Sequence, residues 1–332
     1  MHLEFHFFGE SEWTFFEEIA KMRAARLLWA EKMKRFHPEN EHSYRLRAHT
    51  QTSGWSLTAQ EPYNNLVRTT LEALAAVIGH TQSLHTNAYD EALALPSRYS
   101  AKLARQTQQF LRDETGVTDV IDPFGGSYYL ESLTIQLYEK ALQHIVDIEK
   151  NGGMLAAITA GIPQQKLALA ATERQAMIDT NQEVIVGLNK HRSREEKEDH
   201  DIHHSGGQQI RERQIAKLKE VKKKRDERVV RERLAELSNS MKRENGRLLQ
   251  LAIDAARARA TLGEISYAIE KVVGRYEDTL FYVKDVYKKE WMYKDERKKI
   301  EEEIKWYEEW TGKIPSILLT NLGKMGMIVE LR

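Results

Sequence analysis

In the stretch Tyr44–Trp55, YRLRAHTQTSGW, the polar residues Arg45, Arg47, His49 and Gln51 alternate with Leu46, Ala48 and Thr50. Period-two alternation reads as a strand. One face of that strand carries guanidinium, imidazole and carboxamide groups. Imidazole exchanges protons near neutral pH, and a carboxamide both donates and accepts hydrogen bonds. A second row, Ser83, His85 and Asn87, recurs in the stretch QSLHTN. Two adjacent polar rows suit a long polar ligand, because burying that many polar groups is costly without partners. A solvated strand face is the bland alternative, and the spacing leaves both open.

The surrounding elements set the frame. Strands are expected near residues 3–8, 44–51, 82–87 and 184–187, with helices near 14–36, 63–79, 96–114, 132–150 and 163–179. Strand and helix in alternation is the signature of parallel βα units. Four such units are half of an eight-stranded barrel, whose lumen faces one side of every strand. The expected fold class is therefore α/β, the C-terminal half of a (β/α)8 barrel followed by a helical region. The Gly- and aromatic-rich stretch 119–131 reads either as a loop over a site or as a tight packing turn.

Composition narrows the chemistry. Lys+Arg and Asp+Glu are both 50, which removes a global electrostatic case for nucleic acid. The absence of cysteine excludes disulfides and thiolate metal sites. No apolar run approaches a membrane span, and the first residues lack the pattern of a secretory signal, so a cytoplasmic location is expected. His191, His200, His203 and His204 lie among charges without helical ligand spacing and read as a solvated loop, so no metal site is expected. The run Lys222–Arg225 reads as a solvated helix face.

After Lys190 the chain turns charge-rich, with helices expected over 208–238, 246–258 and 263–273, a polar helical linker over 277–312 and a strand at Ile317–Leu319. Three regions follow: 1–190 as half-barrel, 191–275 as a helical extension, and 276–332 as linker plus the first strand of a further domain.

Six ordered stretches, LRAHTQTSGWSLTAQEPYNN, GHTQSLHTNAYDEALALP, DPFGGSYY, NGGM, EVIVGLNK and TLGEISYAIEKV, make the region from about Phe15 to Gly274 resemble the adenosylcobalamin-dependent methylmalonyl-CoA mutase family. The resemblance implies a (β/α)8 barrel with acyl-CoA along its axis, a helical linker and a cobalamin-binding domain. It implies a radical isomerisation of methylmalonyl-CoA to succinyl-CoA with adenosylcobalamin as cofactor. Residue by residue, it implies that His49 and Gln51 line the reaction chamber as catalytic residues. It places Gln51, Gly54, Glu91 and Ala94 at the corrin face. Read singly, His49 is a satisfied core histidine and Glu91 a carboxylate at a helix start.

Two departures from the family pattern are expected. The first four βα units precede the matched region, and with them goes the choice among methylmalonyl-CoA, isobutyryl-CoA and related substrates. The cobalt-ligand motif DxHxxG does not appear; a one-nucleotide loss between Gly323 and Lys324 would convert the family's continuation into Lys324–Arg332. The expected partners are an acyl-CoA substrate and a second mutase subunit or cobalamin-binding chain, with no nucleic acid and no membrane. The alternative is a non-catalytic remnant or subunit that needs complementary chains. The chain alone is expected not to turn over methylmalonyl-CoA and to expose sheet edges prone to aggregation.

Overall fold

The computed structural model describes residues 3–6, 15–192, 207–243, 246–277, 283, 286, 294–315, 317–319 and 329–331. The chain forms two units, residues 1–161 with 194–280, and residues 162–193 with 281–332.

The first unit is built on a parallel sheet in sequential order, β1 (Leu3–His6), β2 (Ala48–Gln51) and β3 (Ser83–His85). Its register pairs Glu4 with His49 and Gln51 with both His6 and His85. Helix α1 (Phe15–Lys34) connects the first two strands and α2 (Asn64–Ile78) the next two. These are the βα units that the alternation of elements predicts.

One face of the sheet is closed by α1. Met22 of that helix forms a buried cluster with Leu46 and Ala48, and Ala25 and Trp29 pack against it. On another side of α1, Ile19 and Ala20 are buried with Ala75 and with Leu130 of α4 (Tyr128–Lys150). Burying one such isoleucine contributes about 2 kcal/mol relative to exposure. The apolar row of β2 thus faces helix, and the polar row faces the other way.

Helix α3 (Arg98–Asp113) follows β3 and begins at the Ser97 cap, whose hydroxyl accepts from the Ser100 N–H. The stretch 119–131 is tied to α1, as the packing turn requires, while Val120, Ile121 and Pro123 also line a cavity. Arg23 of α1 pairs with both Asp122 and Glu131 there. The Asp122 N–H donates to His80 Nε2 at 3.1 Å.

Helix α5 (Gly153–Thr159) is short and follows α4. Helices α7 (Gly207–Lys224), α8 (Glu227–Lys242), α9 (Leu248–Arg257) and α10 (Leu262–Val273) complete this unit. Sequence periodicity predicts one helix over 208–238, but the structure breaks it in two. Asp226 is the reason: its carboxylate caps α8 by accepting from the Arg228 and Val229 N–H groups. At the break, the guanidinium of Arg225 reaches Glu264 at 2.7 and 2.8 Å, Glu227 at 2.9 Å and the Arg259 carbonyl at 3.2 Å. Lys222, Lys223 and Lys224 are exposed, as expected of a solvated face.

The second unit holds α6 (Ile162–Asp179), α11 (Lys294–Thr311), β4 (Ile317–Leu319) and β5 (Val329–Leu331), the last two paired antiparallel. The strand expected at 184–187 does not form. Only an isolated bridge between Val186 and Lys190 is present. Asn189 takes the place of a neighbouring strand: its Oδ1 accepts from the Ile185 N–H, and its Nδ2 donates to the carbonyls of Ile178 and Glu183. Three parallel strands, not four, stand among the described residues, and the described chain is mostly helical. His200, His203, His204 and Lys324–Ile328 lie outside the described residues.

Candidate functional site

The alternation of β2 is real and its two faces differ. Ala48 and Thr50 are buried, whereas His49 and Gln51 are half-buried on the face away from α1. The inner face is fully satisfied, with the Thr50 hydroxyl 2.7 Å from that of Thr81. On the polar face, His49 Nδ1 lies 2.7 Å from Ser83 Oγ on the adjacent strand, which orients the ring. Arg45, Arg47, Ser83 and His85 are exposed. Asn87 departs from the row: it is buried beyond the strand end.

Beyond their C-terminal ends, β2 and β3 run into two loops that are tied together. The Thr52 N–H donates to the His85 carbonyl at 3.1 Å, extending the ladder by one step. The Asn87 N–H and Nδ2 then donate to Thr52 Oγ1 and to its carbonyl, both at 2.9 Å. Asn65 of α2, fully buried, is the second tie. Its Oδ1 accepts from the Thr58 N–H and its Nδ2 donates to the carbonyls of Thr58 and Tyr89. Sequence reasoning missed Asn65. Its signal, an amide at the start of a helix next to a second asparagine, is indistinguishable from an ordinary helix-start preference.

These ties bring Gly54 and Glu91 together. A Cβ placed on Gly54 would lie 2.8 Å from Glu91 Oε1 and 3.2 Å from Asn87 Nδ2. Trp55, next along, is 48% exposed, so the loop presents a flat apolar surface beside a position without a side chain. Ala94 sits in the same second loop, half-buried, with its N–H bonded to the Asp90 carbonyl at 3.0 Å. Glu91 does not start a helix; it lies in the turn before α3. The five residues singled out in the sequence therefore share one end of the sheet. His49 and Gln51 stand on β2, and Gly54, Glu91 and Ala94 in the loops above it.

Two carboxyls at and beneath this surface are held toward their neutral forms. Partial burial pushes the Glu91 carboxyl above its usual range, with His85 opposing. Beneath the Gly54 loop, burial pushes Glu72 of α2 up to about 7. Its Oε2 accepts from the Ser53 N–H at 2.8 Å. Glu72 also escaped the sequence reading, because one glutamate within a helical pattern carries no signal of burial.

The surface fits a flat, rigid group approached by backbone. The space over Gly54 is taken by the ends of the Glu91 and Asn87 side chains, Trp55 next along is exposed, and Asn87 Oδ1 is buried without a protein donor. No described group of three His, Asp or Glu side chains could hold a metal ion.

Comparison with known proteins shows the family. The family model for methylmalonyl-CoA mutase matches residues 2–275. The chain is 46% identical over 321 residues to a probable mitochondrial methylmalonyl-CoA mutase of Caenorhabditis elegans, covering 96% of this chain and 43% of that protein. It is 47% identical over 311 residues to a methylmalonyl-CoA mutase large subunit of Porphyromonas gingivalis, covering 94% and 43%. With a mitochondrial methylmalonyl-CoA mutase of Mus musculus it shares 45% over 322 residues, covering 96% and 43%. The chain spans less than half the length of these relatives.

Proposed function

Because the chain belongs to the methylmalonyl-CoA mutase family, we propose that it forms the C-terminal part of a (β/α)8 barrel that isomerises methylmalonyl-CoA to succinyl-CoA. The observation that carries this reading is the pairing of a half-buried His49–Gln51 row with a glycine-centred loop surface at the same end of the sheet. Ends of parallel strands are where barrel enzymes place their chemistry. The three parallel strands and their helical connections support the barrel.

Adenosylcobalamin would supply the radical chemistry when bound, and this chain would supply position and shelter. Gly54, Glu91 and Ala94, in the loops beyond β2 and β3, would hold the corrin. Gln51, on the same face of β2, would help to hold both the cofactor and the substrate. His49, held through Nδ1 by Ser83, would orient the acyl group. The closed inner face of the sheet excludes water from below the chamber.

A second reading is a subunit that works together with complementary chains. The large-subunit name of the Porphyromonas gingivalis relative supports a second mutase subunit as partner. A cytoplasmic location is part of the proposal; no described helix is long and apolar enough to cross a membrane. The test is turnover by the chain co-expressed with the segments it lacks relative to the Porphyromonas gingivalis protein. Succinyl-CoA formation that depends on this chain supports the assignment; its absence from a folded, cobalamin-loaded assembly refutes it.

A further inference from the structure

Ser56 carries one hydroxyl proton and faces two acceptors. Its Oγ lies 2.5 Å from the Ser53 carbonyl oxygen and 2.6 Å from Glu72 Oε1. A single proton cannot serve both at full strength. The other carboxylate oxygen of Glu72 already accepts from the Ser53 N–H at 2.8 Å. Ser56 is buried, so solvent has little access to the clasp.

We propose that Glu72 holds a proton on Oε1 and donates it to Ser56 Oγ, so that Ser56 donates to the Ser53 carbonyl and a closed ring fixes the Gly54 loop. In that arrangement every polar atom of the clasp is satisfied: Glu72 Oε1–H to Ser56, Ser56 O–H to Ser53 O, and Ser53 N–H to Glu72 Oε2. Ionisation removes one proton from the ring. Either the Ser53 carbonyl or the carboxylate then lacks a donor, and the loop that carries Gly54 and Trp55 loosens.

The surroundings favour the proton. Burial is the main cause that raises Glu72, and Glu18, facing it from α1, adds to it. Glu18 is itself paired with Lys21 at 2.6 Å. The hydrogen bonds from Ser56 and Ser53 oppose, as does Arg68 from the preceding turn of α2. The balance puts the titration at about 7, where small changes in pH switch the clasp. Glu72 is a positioning residue, since it reaches the site surface only through the loop above it. The consequence for the corrin rests on the function proposed above; the ring itself does not.

The test reads the loop in the full chain without cobalamin, so failure of the clasp and failure of the cofactor assignment stay distinct. Amide hydrogen exchange over residues 53–57, corrected for intrinsic rates, is followed from pH 5.5 to 8.5. Wild type should lose protection by about five- to tenfold, as expected for one net hydrogen bond, with a midpoint near the titration of Glu72. Glu72→Gln reproduces the neutral acid, with Nε2 donating to Ser56 and Oε1 accepting from Ser53. It should keep the low-pH protection of wild type at every pH. Ser56→Ala removes the relay without touching the helix and should abolish the step. The proposal is overturned if wild type shows no step, if Glu72→Gln follows the wild-type profile, or if Ser56→Ala keeps the step.

Discussion

Glu91 Oε1 stands 2.8 Å from the place that a Gly54 Cβ would occupy. Two loops that leave different strands therefore meet at a contact in which one partner must be glycine or the other must move. The obstacle is the end of a flexible side chain, not backbone, so the contact restricts the surface more than the fold.

Gly54→Ala should consequently swing the Glu91 carboxylate aside and cost less than about 1 kcal/mol of stability, within the range of substitutions away from the core. Glu91→Ala should remove the conflict. A double-mutant cycle on urea unfolding should give a coupling of about 0.5 kcal/mol or more between the two positions. Strict additivity would mean that the loops do not meet as described.

Asn65→Ala should be far more damaging. It strips the Thr58 N–H and the carbonyls of Thr58 and Tyr89 of their buried partner. Leaving such groups unpaired costs about 2–3 kcal/mol, to be read as a shift in the urea midpoint. Asn65→Asp keeps the acceptor but loses the two donations to carbonyls, so it should not restore stability. Full stability of either variant would dissolve the link between the two site loops.

The polar row of β2 was legible in the sequence because period-two alternation is a property of the strand itself. The convergence of His49, Gln51, Gly54, Glu91 and Ala94 needed the family resemblance, since residues separated by some forty positions share no local pattern. Asn65 and Glu72 were illegible even so, because what distinguishes them is burial. The missing strand at 184–187 has the same origin. Its apolar run satisfies a strand pattern, but Asn189, two residues beyond it, supplies hydrogen bonds that a neighbouring strand would have made. The break between α7 and α8 turns on Asp226, a capping residue hidden within a continuous charge-rich helical pattern.

Arg225 should prove the keystone of the α8–α10 bundle. Its side chain is 3% exposed and binds two carboxylates. Arg225→Ala should cost about 2 kcal/mol, because the partly buried Glu264 loses its nearest cation and keeps only Lys222 at 3.8 Å and the bonds from Thr261. The Arg225 hydrogen bond holds Glu264 down to about 2. A carboxylate lowered in the folded state contributes stability that is present above its unfolded pKa of about 4.3 and lost as pH falls through the folded value. Wild type should thus lose stability between about pH 4.3 and pH 2, and Arg225→Ala should flatten that loss. An unchanged acid profile in the variant, followed by circular dichroism, would contradict the pairing.

Glu72 should act in the opposite sense. Its folded pKa is raised to about 7, so the folded state binds the extra proton between about pH 4.3 and pH 7. Stability from this group is full at the acid end and falls as pH rises through the folded value. Glu72→Gln should therefore gain on wild type in unfolding free energy as pH increases from 5 to 8. A constant difference over that range would remove the raised carboxyl.

The most direct measurement is succinyl-CoA formation from methylmalonyl-CoA by the chain assembled with its complementary segments and adenosylcobalamin, comparing wild type with His49→Ala and Gln51→Ala. Each variant should lose at least about tenfold in turnover, equivalent to about 1.4 kcal/mol of transition-state stabilisation, while its thermal melting stays within a few degrees of wild type. Undiminished turnover in both variants would show that the polar row of β2 does not line the reaction chamber.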